Sequence, residues 1–342
     1  MISAALRCTA PVFTHLAYLT DERGLFEHAE FARPRPEHGY CVDDVARALV
    51  VTCREPAPGA ELRRLIHRYL EFTLAALQPD GLCHNRMDAG GAWTDEPGTG
   101  DWWGRAIWGL GVAAVHAPSA PMRARALMGF RVAAARRSPF LHAMAFAALG
   151  AGELRIARPG EVSADDLLRD TVDAIGLAPQ GAGWPWPQER LSYGNGSVVE
   201  ALLLAGSTLD DPDAVAHGLV LLDFLLRTET GPEHLSVTPV GGRGQGEDVH
   251  GRDQQPIEVA ALADACARAF AITGDPRWRQ GVRLAWAWFC GDNDNGTPMI
   301  DPATGAGFDG LQALGRNENQ GAESTLAALS TAQHARRLGV LG

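Results

Sequence analysis

Six stretches of this chain are apolar and small-residued nearly all round, and each follows a polar or glycine-bearing entrance: "GYCVDD" before VARALVV, "GTGDWWGR" before AIWGLGVAAV, "RRSP" before FLHAMAFAALGAG, "ERLSYGNG" before SVVEALLLAG, "GRDQQP" before IEVAALADACA, and "NENQG" before AESTLAALSTA. A helix without a wet face has to be surrounded by protein. Between these stretches lie segments such as 60–78, 121–136, 212–228 and 276–289, which carry Arg, Glu or Asp along one face as outer amphipathic helices do. No run of alternating strands competes with them. Six enclosed helices alternating with six outer ones predict an all-α fold, an (α/α)6 toroid formed as a single domain over residues 1–342. Parallel inner helices would open all six entrances at one end, where backbone N–H groups favour acidic side chains.

The chain has 342 residues, 46% of them hydrophobic, enough to bury a large core. A formal net charge of -11 argues against nucleic acid or an anionic membrane as partner. There is no lysine, so Arg supplies every positive side chain other than His. The six cysteines (Cys8, Cys41, Cys53, Cys83, Cys266, Cys290) have no paired short spacings, which disfavours a zinc site and a disulfide framework. The first residues lack a basic stretch followed by an apolar core, and no run of about 18 apolar residues follows. A soluble cytoplasmic protein needing neither cofactor nor metal is expected.

The chemistry gathers at the entrances. Asp43 and Asp44 open one inner helix; N-capping accounts for them as well as substrate contact does. A terpene-cyclase reading of this acidic pair fails, because Cys41 stands at the first acid of D-x-D-D and "DDVAR" lacks the last acid of D-D-x-x-D. In "TGDWWGRAIWGLG", Asp101, Trp102, Trp103 and Arg105 bring together an acid, indoles and a guanidinium. That combination suits a sugar, whose apolar ring faces stack on aromatics while its hydroxyls take hydrogen bonds. "GWPWPQERLSYGNGS" repeats it with Trp184, Trp186, Glu189, Tyr193 and Asn195. In "HGRDQQPIEVA", Asp253, Gln254 and Gln255 precede a helix that carries Glu258 inside it, an acid that needs a partner such as Arg243 or Arg252, or the cleft itself. Asp309, Asn319, Gln320 and Glu323 complete the ring, with His38, Tyr40 and Arg47 beside the first entrance. "GDNDNGTPMID" has the wrong register for a calcium loop, and "GGRGQG" follows no strand.

Taken in order, "HGYCVDDVARAL", "DWWGRAIWGLG", "SPFLHAMAFAALG", "GWPWPQERLSYGN", "DQQPIEVAALADA", "WFCGDNDNG", "TGAGFDGL" and "NQGAESTLAAL" resemble the six-hairpin glycosidase-like domain found fused to, or encoded beside, group-one glycosyltransferases. The likeness runs from about residue 38 to the C-terminus. It implies an (α/α)6 barrel and carbohydrate work, with a separate glycosyltransferase as partner. Where the family has Ser-Tyr-Asp-Asn, this chain reads Ser192-Tyr193-Gly194-Asn195, which puts in question whatever that acid does. The spacing of Asp43 and Asp44 to Asp101 is also similar to that of unsaturated glucuronyl hydrolases.

The resulting expectation is an inverting glycoside hydrolase acting on an oligosaccharide or glycan. Asp101 would be the acid, raised by Trp102 and Trp103, Asp44 the base, and Glu258 a substitute for either. Two other readings stand beside it: a noncatalytic glycan-binding module, and a sugar epimerase or isomerase using His38 and His250.

Overall fold

A computed structural model describes residues 11–176, 183–249, 251 and 253–341. Six helices form an inner ring: α2 (Val42–Cys53), α4 (Asp101–His116), α6 (Leu141–Ala157), α8 (Asn195–Thr208), α10 (Pro256–Thr273) and α12 (Ala322–Arg337). Each packs on the next, and α12 returns to α2. Outside them lie α3 (Ala60–Ala75), α5 (Ala120–Ala133), α7 (Val162–Ile175), α9 (Pro212–Thr228) and α11 (Pro276–Phe289). The sixth outer position is held by α1 (Thr14–Tyr18), a five-residue helix against α12. The (α/α)6 toroid is thus present, with one of its six expected outer helices cut to little more than a turn.

Eight short strands also occur among the described residues, in four antiparallel pairs: β1 (Ala29–Glu30) with β2 (Arg33–Pro34), β3 (Tyr40–Cys41) with β4 (Arg86–Met87), β5 (Arg190–Leu191) with β6 (Arg243–Gly244), and β7 (Gly310–Gln312) with β8 (Gly315–Asn317). They staple the long loops that precede the inner helices. No helix among the described residues is long and apolar enough to cross a membrane.

The small residues of the inner ring let backbones touch. A Cβ placed on Gly150 would lie 2.3 Å from the Ile107 carbonyl oxygen, and one on Gly104 would lie 2.1 Å from that of Ala143. Neither neighbour is a side chain that could swing away, so α4 and α6 are held at a spacing only glycine permits. Gly150→Ala is therefore expected to destabilise the fold by about 3 kcal/mol, the upper end for overpacking. Urea unfolding of the pair checks this, and an unchanged midpoint would contradict it.

Three outer helices carry their own side-chain caps, whereas three inner helices begin at glycine. Ser119, Asp211 and Asp275 cap α5, α9 and α11 from their own N-cap positions, each followed by a proline in the first turn. Gly100, Gly194 and Gly321, at the N-caps of α4, α8 and α12, offer no side chain. At α8 and α12 the N–H groups take acids from elsewhere. Glu258 of α10 accepts Gly194 N–H at 2.5 Å and Asn195 N–H at 3.4 Å, while Asp309 accepts Gly321 N–H at 2.7 Å. Acidic side chains are drawn to the mouths by the helix ends themselves.

Candidate active site at the helix mouths

The inner N-termini surround a cavity of about 520 Å³ whose walls include Asp43, Asp44, Arg47, Asp101, Arg105, Tyr193, Gln255, Asp309 and Glu323. One arginine organises the first wall. Arg47 Nη2 lies 2.6 Å from Asp44 Oδ1, 2.8 Å from Asp43 Oδ1 and 3.0 Å from Glu323 Oε2. Arg105 Nε stands 3.0 Å from the other Asp43 oxygen but out of line for a hydrogen bond, and its guanidinium lies over the Phe146 ring.

Asp44 is 2% exposed. Burial pushes its carboxyl up to about 7; Arg47 pulls against this, and Asp43, Glu323 and Glu27 add to it. The Cys41 thiol donates to Asp44 Oδ2 at 3.1 Å and is itself held well above its ordinary value by burial. On the facing wall, the Tyr193 hydroxyl donates to Asp101 Oδ2, and its ring stacks on His142 at 4.6 Å. Burial and that bond to Asp101 raise the phenol, while burial lowers the His142 imidazole.

Several expected contacts lie elsewhere. Trp103 is fully buried and its indole donates to the Ala133 carbonyl, while the Trp102 indole donates to the Cys83 carbonyl at 2.7 Å. Neither lines the cavity. Trp184 packs edge-on against Phe224 of α9 and Trp186 is 4% exposed, and neither lines the cavity. Tyr40 is buried with its hydroxyl on Asp21 at 2.6 Å. Gln254 is a core staple that accepts from Val237 N–H and the Trp288 indole. Asn195 is buried, and its amide donates to Glu258.

The loop-end residues Asn319 and Gln320 tie backbone, accepting from Phe31 N–H and from the His15 imidazole respectively. Glu189 and Asp253 are exposed away from the cavity, and His38, which does not line it either, meets His28 ring to ring at 5.1 Å. Glu258 also leaves the site: it does not line the cavity, and its carboxyl caps α8. Arg243 donates instead to the Thr228 and Glu247 carbonyls, and Arg252 and His250 fall outside the described residues.

Sequence reasoning missed Glu27, His28, Asn85, Arg86, Asn317 and Ser324 on the cavity wall. Glu27 is paired to Arg86, and Asn85 Oδ1 accepts Asp43 N–H at 3.3 Å. Ligand atoms of Glu27, Cys41 and Asp44 lie within 4.8 Å of one another. They suit a metal poorly, since Arg86 and Arg47 occupy the two carboxylates and the thiol keeps its proton.

Gly194 has φ +58° and ψ 26°, a left-handed conformation that Asp also adopts. A Cβ there would meet nothing nearer than Phe146 at 3.5 Å. An aspartate at this point would therefore fit without reshaping the mouth.

Four buried carboxyls set a pH dependence of stability. Burial raises Asp44, Glu200 and Glu229 to about 7 and Glu258 to about 8, all above their unfolded values near 4. Through these four groups the folded state binds more protons than the unfolded one and loses stability as pH rises; the imidazoles of His15, His142, His217 and His334, lowered by burial, oppose this up to about 6.5, so the fall is steepest from about 6.5 to about 8. Glu153 and Asp264, pulled down by their basic partners against burial, act in the opposite sense below the window. Tm is expected to be lower at the alkaline end of this range than in mild acid; a Tm that climbs with pH would contradict the burial of these acids in protonated form.

The class of fold is the (α/α)6 barrel, and known structures share it along nearly the whole chain. A sugar epimerase from a ruminal bacterium superposes with a TM-score of 0.72 at 15% identity, covering 97% of each chain. The cellobiose 2-epimerase of Bacillus thermoamylovorans gives 0.69 at 11%, covering 95% of this chain and 96% of that one. A GH76 α-mannanase of Bacteroides thetaiotaomicron gives 0.61 at 10%, covering 87% and 86%. No family model and no curated protein matches the sequence.

Proposed function

We propose that this chain is a carbohydrate-active enzyme, an inverting glycoside hydrolase in which Asp44 and Asp101 share the work. The observation that carries the reading is that the cavity holds two carboxyls in different settings: Asp44, buried and pushed up to about 7, and Asp101, which accepts the Tyr193 hydroxyl at the facing wall. Pairs of acids held in unlike environments are what acid and base roles require. The roles are assigned opposite to those the neighbouring indoles suggest. Asp44 keeps a proton up to about neutrality and gives it to the leaving oxygen. Asp101, with Tyr193, activates water. Arg105 and Glu323 orient hydroxyls, and Asp309 braces the rim. The glycan-processing neighbours on the same barrel support a sugar as ligand. Partnership with a glycosyltransferase rests on the resemblance to the fused family.

A second reading, an epimerase or isomerase, is favoured by the TM-scores of the epimerase structures and by His28 on the cavity wall. Incubation with oligosaccharides and their monosaccharides in deuterated water, followed by proton NMR, separates the two. New reducing ends with the inverted anomer formed first support the hydrolase. Deuterium entering beside the carbonyl carbon without bond cleavage supports the isomerase. Saturable binding with neither change would favour a glycan-binding module and overturn both.

A further inference from the structure

The opposite end of the barrel holds a second hollow, of about 500 Å³, lined by five of the inner helices and by Arg54 and Pro56 just beyond the end of α2. Its polar groups are not those of the front. Arg54 lies 3.3 Å from Asp264, and Arg268 lies 2.6 Å from Glu153 and 3.5 Å from Glu200. Among the described residues, Arg337 at the rim meets no carboxylate within ion-pair distance; its Nη2 contacts His334 Nδ1 at 3.0 Å.

Inner-helix C-termini attract cations through their dipoles, which accounts for arginines in the last turn. It does not account for the groups left over. Arg268 Nε and Glu200 Oε2 are buried without a hydrogen-bond partner, and Glu200 is 3% exposed. Buried polar atoms are ordinarily paired, and each unpaired one calls for a water or a ligand. Asp264 accepts from Arg54, Ser330 and His334 through its Oδ1 alone. Arg336 is neutralised by Glu55 at 3.0 Å. With Glu200 raised by burial to about 7 and so largely protonated in mild acid, Arg54, Arg268 and Arg337 face only Glu153 and Asp264 as anions. One guanidinium is in excess, and desolvation by burial, together with repulsion from Arg54 and Arg268, lowers Arg337.

The two hollows are not one site. The space between them, bounded by Arg47 and Arg105 on one side and Arg54 and Asp264 on the other, measures about 40 Å³, which suits a few waters and no sugar. Arg54 closes it from the rear by lying over the Trp108 ring at 5.5 Å. A ligand of the rear hollow therefore enters from the rear.

We propose that the rear hollow is a binding site for a phosphate group, free or carried on a small sugar, held by the guanidiniums of Arg54, Arg268 and Arg337. Guanidinium pairs match the oxygens of such an anion two at a time. The site is separate from the sugar chemistry of the front and stands whether or not that reading holds.

Calorimetric titration of the intact chain in mild acid at fixed ionic strength tests it, with inorganic phosphate and glucose 6-phosphate as probes and glucose and chloride as controls. Saturable binding of a phosphate probe is expected, absent for the controls. Tighter binding of glucose 6-phosphate than of phosphate identifies a sugar phosphate as the occupant, and equal binding identifies the bare anion. Arg337→Gln, at the exposed rim where folding tolerates change, is expected to weaken binding about tenfold or more. Asp101→Asn in the front cavity should leave it unaltered. No heat from either phosphate probe at millimolar concentration would overturn the site, as would equal affinity in Arg337→Gln and the parent. Loss of binding in Asp101→Asn alone would place the anion at the front instead.

Discussion

Asp44→Asn is expected to lower kcat on a cleaved glycan by about 10³-fold, the middle of the range for removing a general acid. The amide keeps the shape and can still accept from Arg47, but it has no proton to give. In the parent, activity should fall above about pH 7, because the protonated fraction of Asp44 falls there. The variant's residual rate should lack that alkaline limb. Its folded state should be no weaker, and at alkaline pH stronger, because Asp44→Asn removes a carboxyl whose ionisation burial opposes. Glu258→Gln is the contrast: a cap on α8 outside the cavity should change turnover by no more than about threefold, within the spread expected away from the chemistry. A large loss of kcat in Glu258→Gln with normal activity in Asp44→Asn would reverse the assignment made from the geometry.

The barrel was legible because burial on all sides leaves a mark that few other architectures leave. Helices such as α6 and α8 have no charged face in their first turns, and the sequence states this directly. The outer layer was less plain. In α7 the core stripe is Leu167, Leu168, Thr171 and Ile175, with a threonine at a fully buried place, so the apolar period is broken. Five-residue α1 is too short to show any period, and it owes its position to contacts across the chain, such as His15 Nε2 to the Gln320 carbonyl at 2.8 Å.

Within the site, helical geometry separates what was readable from what was not. Asp43 and Arg47 are four residues apart, as are Asp101 and Arg105, and both pairs face the cavity on neighbouring helices. This repeated acid-to-arginine spacing was present in the letters. Trp102 and Trp103 follow Asp101 at about 100° per residue and so turn away from its face. Residue type suggested a sugar platform where angular position dictated a core. Gln254 and Gln255 differ by one residue, yet the first is stapled under Trp288 while the second lines the cavity. Glu27, Asn85 and Arg86 reach the wall through loops and the β3–β4 pair, for which no periodicity exists to read.

The second large effect concerns Arg47, and its size depends on pH. Arg47→Met removes the guanidinium shared by Asp43, Asp44 and Glu323 and leaves the side-chain volume much the same. Breaking a buried ion pair by removing one partner costs about 3–5 kcal/mol. The lower figure applies here, because Glu323 is 42% exposed at its side chain and regains water, and Asp43 keeps Arg105. Asp44 has no such relief. Arg47 is the main influence holding its carboxyl down against burial, so without it the folded-state value rises above about 7. The variant then retains a proton that the unfolded chain has already lost near 4, and its stability falls with pH over a wider window than the parent's. The loss should be smallest in mild acid, where Asp44 is neutral in both proteins, and should grow through neutrality to alkaline pH. Urea unfolding of both proteins along a pH series measures it. A loss that stays constant with pH would mean that Asp44 is ionised with or without Arg47, and the acid role assigned to it would fail with that result.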